Sequence, residues 1–136
     1  MHIDIANHKG RVEVTVLSLN GQVDGQNFQL VIDKAKELYD SGARDFLIDM
    51  RGLTYISSAG LVALHSIALL VRGEKLPDNG NGLSAYRSLG RSQETGKQQH
   101  VKLLSPLPEV RSVFEIVGFD RAFEIFTNLD EAVKSF

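Results

Sequence analysis

The chain has 136 residues, of which 43% are hydrophobic and 24% charged, and its formal net charge is −2 at pH 7. This length fits one α/β domain, and so weak a charge creates no field that would gather nucleic acid or an anionic membrane. Cysteine is absent, which excludes disulfides, thiolate catalysis and cysteine–zinc sites.

The N-terminal part of the chain predicts a β-hairpin. Valines alternate with polar residues over residues 11–19, a pattern typical of a half-buried strand. Residues 3–5 are its predicted antiparallel partner, joined through a turn at residues 7–10. The pairs Asn20-Gly21 and Asp24-Gly25 predict turns after the second strand.

The middle of the chain alternates helix and strand. Apolar residues recur at helical spacing from Phe28 to Tyr39, which predicts a helix. Phe46–Ile48 is continuously apolar and predicts a strand covered on both faces. We interpret Arg51–Ile56 as a turn, and Ser58–Arg72 as a helix that is apolar nearly all round.

Residues 73–100 predict a long, flexible insertion between the second helix and the next strand, because apolar residues are few there. After it, His100–Leu104 predicts a strand, and a proline-opened helix carries apolar residues from Val110 to Val117. A last strand at Phe123–Phe126 precedes a final helix that Asn128 caps. The fold class is therefore α/β, with a mixed, mostly parallel β-sheet of about five strands and about four helices in a single domain, residues 1–136.

The junction before the second helix carries two serines, Ser57 and Ser58. We interpret Ser58 as the helix N-cap, whose hydroxyl accepts a hydrogen bond from a free backbone N–H. The same geometry suits a phosphate, because unpaired N–H groups and the positive end of the helix dipole meet there. A cap and a modified serine are compatible readings of one position.

Three kinds of catalytic or metal site are disfavoured. A serine-hydrolase elbow needs glycine two residues before its serine, and Ile56 precedes Ser58 by two positions. Asp49 ends a strand as a receiver's phosphoacceptor does, but no acidic pair or lysine accompanies it, so we expect it to accept hydrogen bonds from the following loop. The four histidines have no metal-ligand spacing, and His65 is expected to be a packed, hydrogen-bonded side chain. We predict no catalytic residue, no metal site and no cofactor, and hence not an enzyme.

Three segments are similar to one family. Residues 19–24 carry a Leu-x-Gly-x-hydrophobic-Asp pattern, residues 46–61 run from a buried strand through the paired serines to Gly60-Leu61, and residues 117–126 form a helix-to-strand corner. On these segments the chain resembles the STAS domains, specifically the stand-alone bacterial anti-sigma factor antagonists. The resemblance spans nearly the whole chain and implies the STAS fold.

The resemblance also implies a function and its partners. In that family an anti-sigma factor serine kinase phosphorylates the serine two positions before the Gly-Leu pair, which is Ser58 here. The unphosphorylated antagonist binds the kinase and frees the sigma factor, and a PP2C-type phosphatase resets the switch. The expected partner-binding residues are Asp24, Ser57, Ser58, Ala59 and Gly60. We expect a cytoplasmic phosphoprotein in transcription regulation, without nucleic-acid binding or membrane insertion.

The chain departs from the family pattern beside the serine. Many members have Asp where Ser57 stands, and Ser or Thr where Ala59 stands. Two other hypotheses therefore remain open. One is a STAS scaffold module of a transporter or signalling complex, in which Ser58 is only a helix cap. The other is a sensor that binds a small anionic ligand at the helix N-terminus.

Overall fold

The structure, a computed structural model, describes residues 1–73 and 98–136. Six strands and five helices follow one another in these residues. In chain order they are β1 (His2–Lys9), β2 (Glu13–Val23), α1 (Phe28–Asp40), β3 (Phe46–Asp49), β4 (Leu53–Ile56), α2 (Ser58–Val71), β5 (Val101–Leu104), α3 (Pro108–Val117), α4 (Phe119–Ala122), β6 (Ile125–Phe126) and α5 (Leu129–Lys134).

One mixed sheet organises the fold. Its strand order is β1-β2-β3-β5-β6, and β4 pairs with the last residues of β2. Strand β1 runs antiparallel to β2, and every other neighbouring pair is parallel. This arrangement confirms the predicted fold class, a mostly parallel sheet with an antiparallel hairpin contributed by the N-terminus.

The two faces of the sheet bury separate hydrophobic clusters. Alternate residues of β2 explain the division, since Leu17 lies in the larger cluster and Val16 in the smaller one. Helices α1, α2 and α3 cover the larger cluster, which includes the stacked rings of Phe114 and Phe119. Residues Ala132 and Val133 of α5 cover the smaller one. The sheet is therefore buried on both faces at its centre, as a parallel sheet requires.

Strand β4 was not expected from the sequence, which predicts a turn over Arg51–Ile56. The prediction of a turn at Asn20-Gly21 is wrong as well, because β2 continues to Val23. The register shifts between Gly21 and Gln22, where Gly21 adopts a φ of +101° that glycine tolerates best. The extra length of β2 gives β4 its partner, since Val23 pairs with Ile56.

The C-terminal part differs in smaller ways. Gly118 ends α3 with a φ of +83°, and the short helix α4 follows it at once, burying Phe119. The last strand is limited to Ile125–Phe126. Asn128 caps α5 as predicted, its Oδ1 accepting from Glu131 N at 3.0 Å. The predicted flexible insertion over 73–100 falls mainly on residues 74–97, which lie outside the described residues, and stays a prediction.

Candidate functional site

The site predicted from the sequence lies where β2 and β4 end side by side. Val23 and Ile56 are paired in parallel, so Asp24 and Ser57 each follow directly after a paired residue. A backbone hydrogen bond from Ser57 N to Val23 O, 2.9 Å long, ties the two chain ends together. The structure thus brings Asp24 and the two serines together at the carboxyl ends of β2 and β4.

The two serines differ in role, and the predicted N-cap is corrected by one residue. Ser57, not Ser58, is the N-cap of α2: its backbone is extended, with φ −90° and ψ 177°, and its Oγ accepts from Gly60 N at 3.4 Å. The reason is the bond to Val23, which keeps Ser57 in the strand pairing. Ser58 is the first helical residue and is exposed, whereas Ser57 is half-buried.

The residues after the serines turn inward. Ala59 is half-buried and Gly60 is buried. A Cβ added to Gly60 would lie 2.5 Å from Cγ1 of Ile56 and 3.1 Å from the carbonyl oxygen of Val23. Only a residue without a side chain lets the first turn of α2 approach the strand ends this closely. Gly60 therefore affects the site indirectly, because it lets the first turn of α2 pack close to the ends of β2 and β4.

Asp24 organises the loop that leads into α1. Its Oδ1 accepts from Gln26 N at 2.9 Å, and its carbonyl oxygen accepts from Phe28 N at 2.9 Å. Asn27 closes the loop, because its Oδ1 accepts from Asp24 N and its Nδ2 donates to Gln22 O, both at 2.9 Å. This is an Asx-type turn, in which the side chains replace backbone partners. The carboxylate is held in a defined position in the loop between β2 and α1.

Two exposed apolar side chains lie close in sequence to these residues and were missed by the sequence analysis. Leu30, in the first turn of α1, is 58% exposed, and Tyr55, two residues before Ser57, is 47% exposed. The helical spacing of α1 marks Val31 and Ile32 as inward-facing, and both are buried. Leu30 lies just outside the buried face of α1, and this position in the helical spacing could have predicted its exposure. For Tyr55 no signal existed, because β4 itself was not predicted.

Asp49 is a structural carboxylate, as expected. Its Oδ1 accepts from Arg51 N at 3.1 Å, and its Oδ2 accepts from Arg51 Nη2 at 2.7 Å and from Ser18 Oγ at 3.2 Å. Burial alone would raise the pKa of this carboxyl. The hydrogen bonds and positive charge of Arg51, with a smaller contribution from Ser18, outweigh burial and lower the pKa of Asp49 below its ordinary value.

The histidines lie away from the serines. His65, on α2, is buried and seven residues along the helix from Ser58, which corresponds to a rise of about 10 Å. His100 Nδ1 contacts Asp45 Oδ1 at 2.7 Å, and each residue precedes a strand, so the pair lies at the amino ends of the strands, whereas Ser58 lies at the carboxyl ends.

In residues 1–73 and 98–136, no group of three or more His, Cys, Asp or Glu is placed to hold a metal ion. None of the helices described in these two ranges is long and apolar enough to cross a membrane.

Residues 5–75 match the family model described as STAS domain. No curated protein sequence matches the chain. Among solved structures, an anti-sigma factor antagonist from Mycobacterium paratuberculosis is 18% identical with a TM-score of 0.68, and the match covers 98% of this chain and 92% of that one.

Two structures of SpoIIAA are also similar. The anti-sigma factor antagonist SpoIIAA in its unphosphorylated form is 14% identical, with a TM-score of 0.53 over 96% of this chain and 93% of that one. The Bacillus cell fate determinant SpoIIAA in its phosphorylated form is 18% identical, with a TM-score of 0.50 over 96% of both chains. At these identities the likeness is one of fold.

Proposed function

The chain belongs to the STAS domain family, and on that premise we propose that it is an anti-sigma factor antagonist switched by phosphorylation of Ser58. In its unphosphorylated form it binds an anti-sigma factor serine kinase through the surface around Asp24 and Ser57–Gly60. Phosphorylation of Ser58 releases it, and a PP2C-type phosphatase restores the binding form. The kinase supplies the catalytic groups, and this chain supplies a hydroxyl and a docking surface.

The observation that carries the proposal is that the two serines have different roles: Ser57 caps α2, and Ser58 is exposed. Ser57 satisfies the helix terminus by accepting from Gly60 N, which leaves the Ser58 side chain outside the capping hydrogen bond. Ser58 is exposed, so a kinase reaches its hydroxyl without opening the fold. Modification of Ser58 therefore does not require the cap to break, and the domain stays folded in both states of the switch.

The electrostatics of the helix start support the same role. The first turn of α2 contains no acidic residue, so no carboxylate of that turn repels a phosphate on Ser58. A phosphoserine adds a charge of about −1.5 to −2, and the positive end of the helix dipole stabilises it. A partner that has desolvated this surface experiences the new charge as a cost. The modified chain stays stable while its complex weakens.

The exposed Leu30 and Tyr55 give the docking surface an apolar component. Large apolar side chains that are about half exposed contribute binding energy when a partner covers them. Leu30 lies in the first turn of α1, which the loop from Asp24 leads into, and Tyr55 lies in β4, the strand that ends directly before Ser57. The existence of SpoIIAA structures in both unphosphorylated and phosphorylated forms is consistent with a switch in this fold.

The test is incubation with the cognate kinase and ATP, followed by mass spectrometry of the intact chain and its peptides. We expect one phosphate, located on Ser58, and none on the Ser58→Ala variant. Ser112→Ala is the control, since it removes an exposed serine hydroxyl on α3 but leaves the acceptor. Ser58→Asp is expected to weaken binding of the kinase at least about tenfold, because a fixed charge must be desolvated on docking.

The outcomes separate the proposal from the scaffold-module hypothesis. Phosphate on another residue, or phosphorylation that persists in Ser58→Ala, would contradict the switch. Capture of a transporter ATPase with no kinase, and with equal affinity for wild type and Ser58→Asp, would identify a scaffold module instead. The thermal stability of each variant is measured alongside, so that loss of folding is not mistaken for loss of recognition.

A further inference from the structure

Strand β1 forms a long, open edge of the sheet. It pairs with β2 on one side in an unbroken register of eight residue pairs, from His2 opposite Asn20 to Lys9 opposite Glu13. Within residues 1–73 and 98–136, no strand pairs with its other side. Six of its eight residues are exposed, and Ile3 is the one residue of the strand that packs against the larger cluster. The opposite edge of the sheet, β6, is only two residues long.

Several of the features that normally protect an edge strand are missing from β1. Natural sheets blunt their edges with proline, bulges, very short strands or charged side chains, and of these β1 has only the charged side chains Asp4 and Lys9. The strand contains no proline or glycine, and its pairing with β2 has no bulge. Three of the large apolar residues exposed in the described part of the chain, Met1, Ile5 and Val12, lie in or directly beside this hairpin, each about 40% exposed. The edge is thus long and regular, and its side chains are partly charged and partly apolar.

We propose that β1 is a self-association surface, on which two copies of this chain pair through their β1 strands into one continuous sheet. A two-fold axis perpendicular to the sheet makes the strands antiparallel and keeps each face continuous across the junction. In that symmetry residue i pairs with residue j of the same face, so i and j are both odd or both even. Few registers meet this condition over the length of β1.

The side chains favour one of these registers. With Ala6 opposite Ala6 of the second copy, Asp4 of each copy lies opposite His8 of the other. Carboxylate and imidazole then form two equivalent cross-strand hydrogen-bonding pairs. In each copy Asp4 also contacts its own His2 Nε2 at 2.9 Å and Asn20 Nδ2 at 3.3 Å, so His8 of the second copy adds a further partner for this exposed carboxylate. With Ile5 opposite Ile5, His2 would instead lie opposite His8, so two basic side chains would meet and Asp4 would face Ala6. Complementarity therefore points to a second copy in the first register.

The proposed pairing leaves the switch surface free. Ser58 follows β4, which pairs with the end of β2 beyond the part that contacts β1. In the Ala6 register the two His2 residues are separated by eight residues along the strand, or about 26 Å, and lie at opposite ends of the junction. Each copy therefore keeps its own helix start accessible. Self-association is independent of the proposed switch, and each is tested without the other.

The experiment is sedimentation velocity on the full chain over a range of about 5 to 500 µM, at low ionic strength. We expect the mass to rise from 15.0 kDa towards twice that value with concentration. Asp4→Lys and His8→Glu are each expected to weaken dimerisation, His8→Glu by about tenfold, since each symmetric dimer contains the altered pair twice. The double variant Asp4→Lys/His8→Glu restores dimerisation, because a lysine of each copy then faces a glutamate of the other.

The control is Glu115→Lys, which makes the same charge change as Asp4→Lys at an exposed position on α3. It is expected to leave dimerisation unchanged. Circular dichroism and urea unfolding of every variant show whether the domain remains folded. A chain that stays monomeric throughout the range overturns the proposal. So does a dimer that is insensitive to both single variants, or a double variant that associates no better than the weaker single one.

Discussion

At the scale of single residues, the most informative positions are two neighbouring serines in different surroundings. Ser57 directly follows the strand β4 and donates its N–H to Val23 O, and its hydroxyl caps the helix. Ser58 begins the helix and presents its side chain to solvent. The same residue type thus serves stability at one position and is available for chemistry at the next.

This difference predicts unequal effects of alanine on stability. Ser57→Ala is expected to lower the free energy of unfolding by about 0.5 to 1 kcal/mol, the low side of the N-cap range because the bond to Gly60 N is long at 3.4 Å. Ser58→Ala is expected to change it by less than about 0.5 kcal/mol, since alanine is a good helix former. Urea denaturation of both variants measures the contrast. An equal loss in the two variants would mean that Ser58 shares the cap.

The ion pair of Asp49 with Arg51 predicts a pH-dependent contribution to stability. Because the pKa of Asp49 is lowered on folding, its contribution is complete above the unfolded value of 3.8 and is lost as pH falls through the lower, folded value. Arg51→Ala is expected to cost about 1 kcal/mol at pH 7, a modest figure because the guanidinium is 61% exposed and therefore screened. The cost should shrink as pH falls below 3.8, where the carboxyl protonates.

Urea denaturation at several pH values between neutrality and pH 3 measures this dependence. Arg111→Ala is the matched control, since the Arg111 side chain is 45% exposed and its nitrogen lies 3.7 Å from Glu115. That variant is expected to change stability by less than about 0.5 kcal/mol. A loss for Arg51→Ala that is the same at pH 7 and pH 3 would show that the guanidinium acts through packing, not through the charge of Asp49.

At the scale of elements, helix α2 is positioned by the contact of its first turn with the ends of two strands. Every residue from Gly60 to Ala68 is buried, so the helix has no solvent-facing stripe along this stretch to set its rotation. The close approach of Gly60 to Ile56 and Val23 instead sets the distance between the start of α2 and the ends of β2 and β4. The exposed Ser58 and the buried core of the helix are thus linked through one glycine.

Gly60→Ala is therefore expected to destabilise the protein, although glycine-to-alanine changes inside helices usually stabilise. The added Cβ would meet Ile56 Cγ1 at 2.5 Å and the backbone oxygen of Val23 at 3.1 Å. Overpacking of this kind costs about 1 to 3 kcal/mol. Thermal and urea unfolding measure the change.

The control for this prediction is Gly25→Ala, because a Cβ at Gly25 would have no neighbour within 4 Å and its φ is not in the left-handed region. It is expected to be neutral within about 0.5 kcal/mol. Combining Gly60→Ala with Ile56→Ala provides a further check, since truncation of Ile56 removes the Cγ1 clash. The two losses should then be non-additive. Strict additivity would mean that the clash with Ile56 is not the cause.

At the scale of the whole molecule, the two proposed functions use different parts of the sheet. The carboxyl ends of β2 and β4 carry the proposed switch, and the outer edge of β1 carries the proposed self-association. The helices bury both faces of the central strands, as the two hydrophobic clusters show. The two proposed functional surfaces therefore lie at strand ends and at a sheet edge, where backbone groups and loops meet solvent.

Much of this architecture was predictable from local patterns. The alternation in β2, the helical spacing in α1 and the apolar run of β3 each depend on neighbours within one element, so they are legible in sequence. Strand β4 was not, because its four residues follow the burial order buried, exposed, exposed, buried and have no clear period. Helix α4 was not predicted for a similar reason, since four residues are too few to establish helical spacing.

The sequence by itself determined the family, the mostly parallel sheet and the segment that carries the candidate site, since these depend on short motifs and local periodicity. Only the tertiary structure decided which serine is the cap, that β2 reaches Val23, and that Asp24 lies beside Ser57. These features depend on the pairing of Val23 with Ile56, residues more than thirty positions apart in the chain. Such non-local pairing is set by the packing of the whole sheet, which no local window of sequence contains.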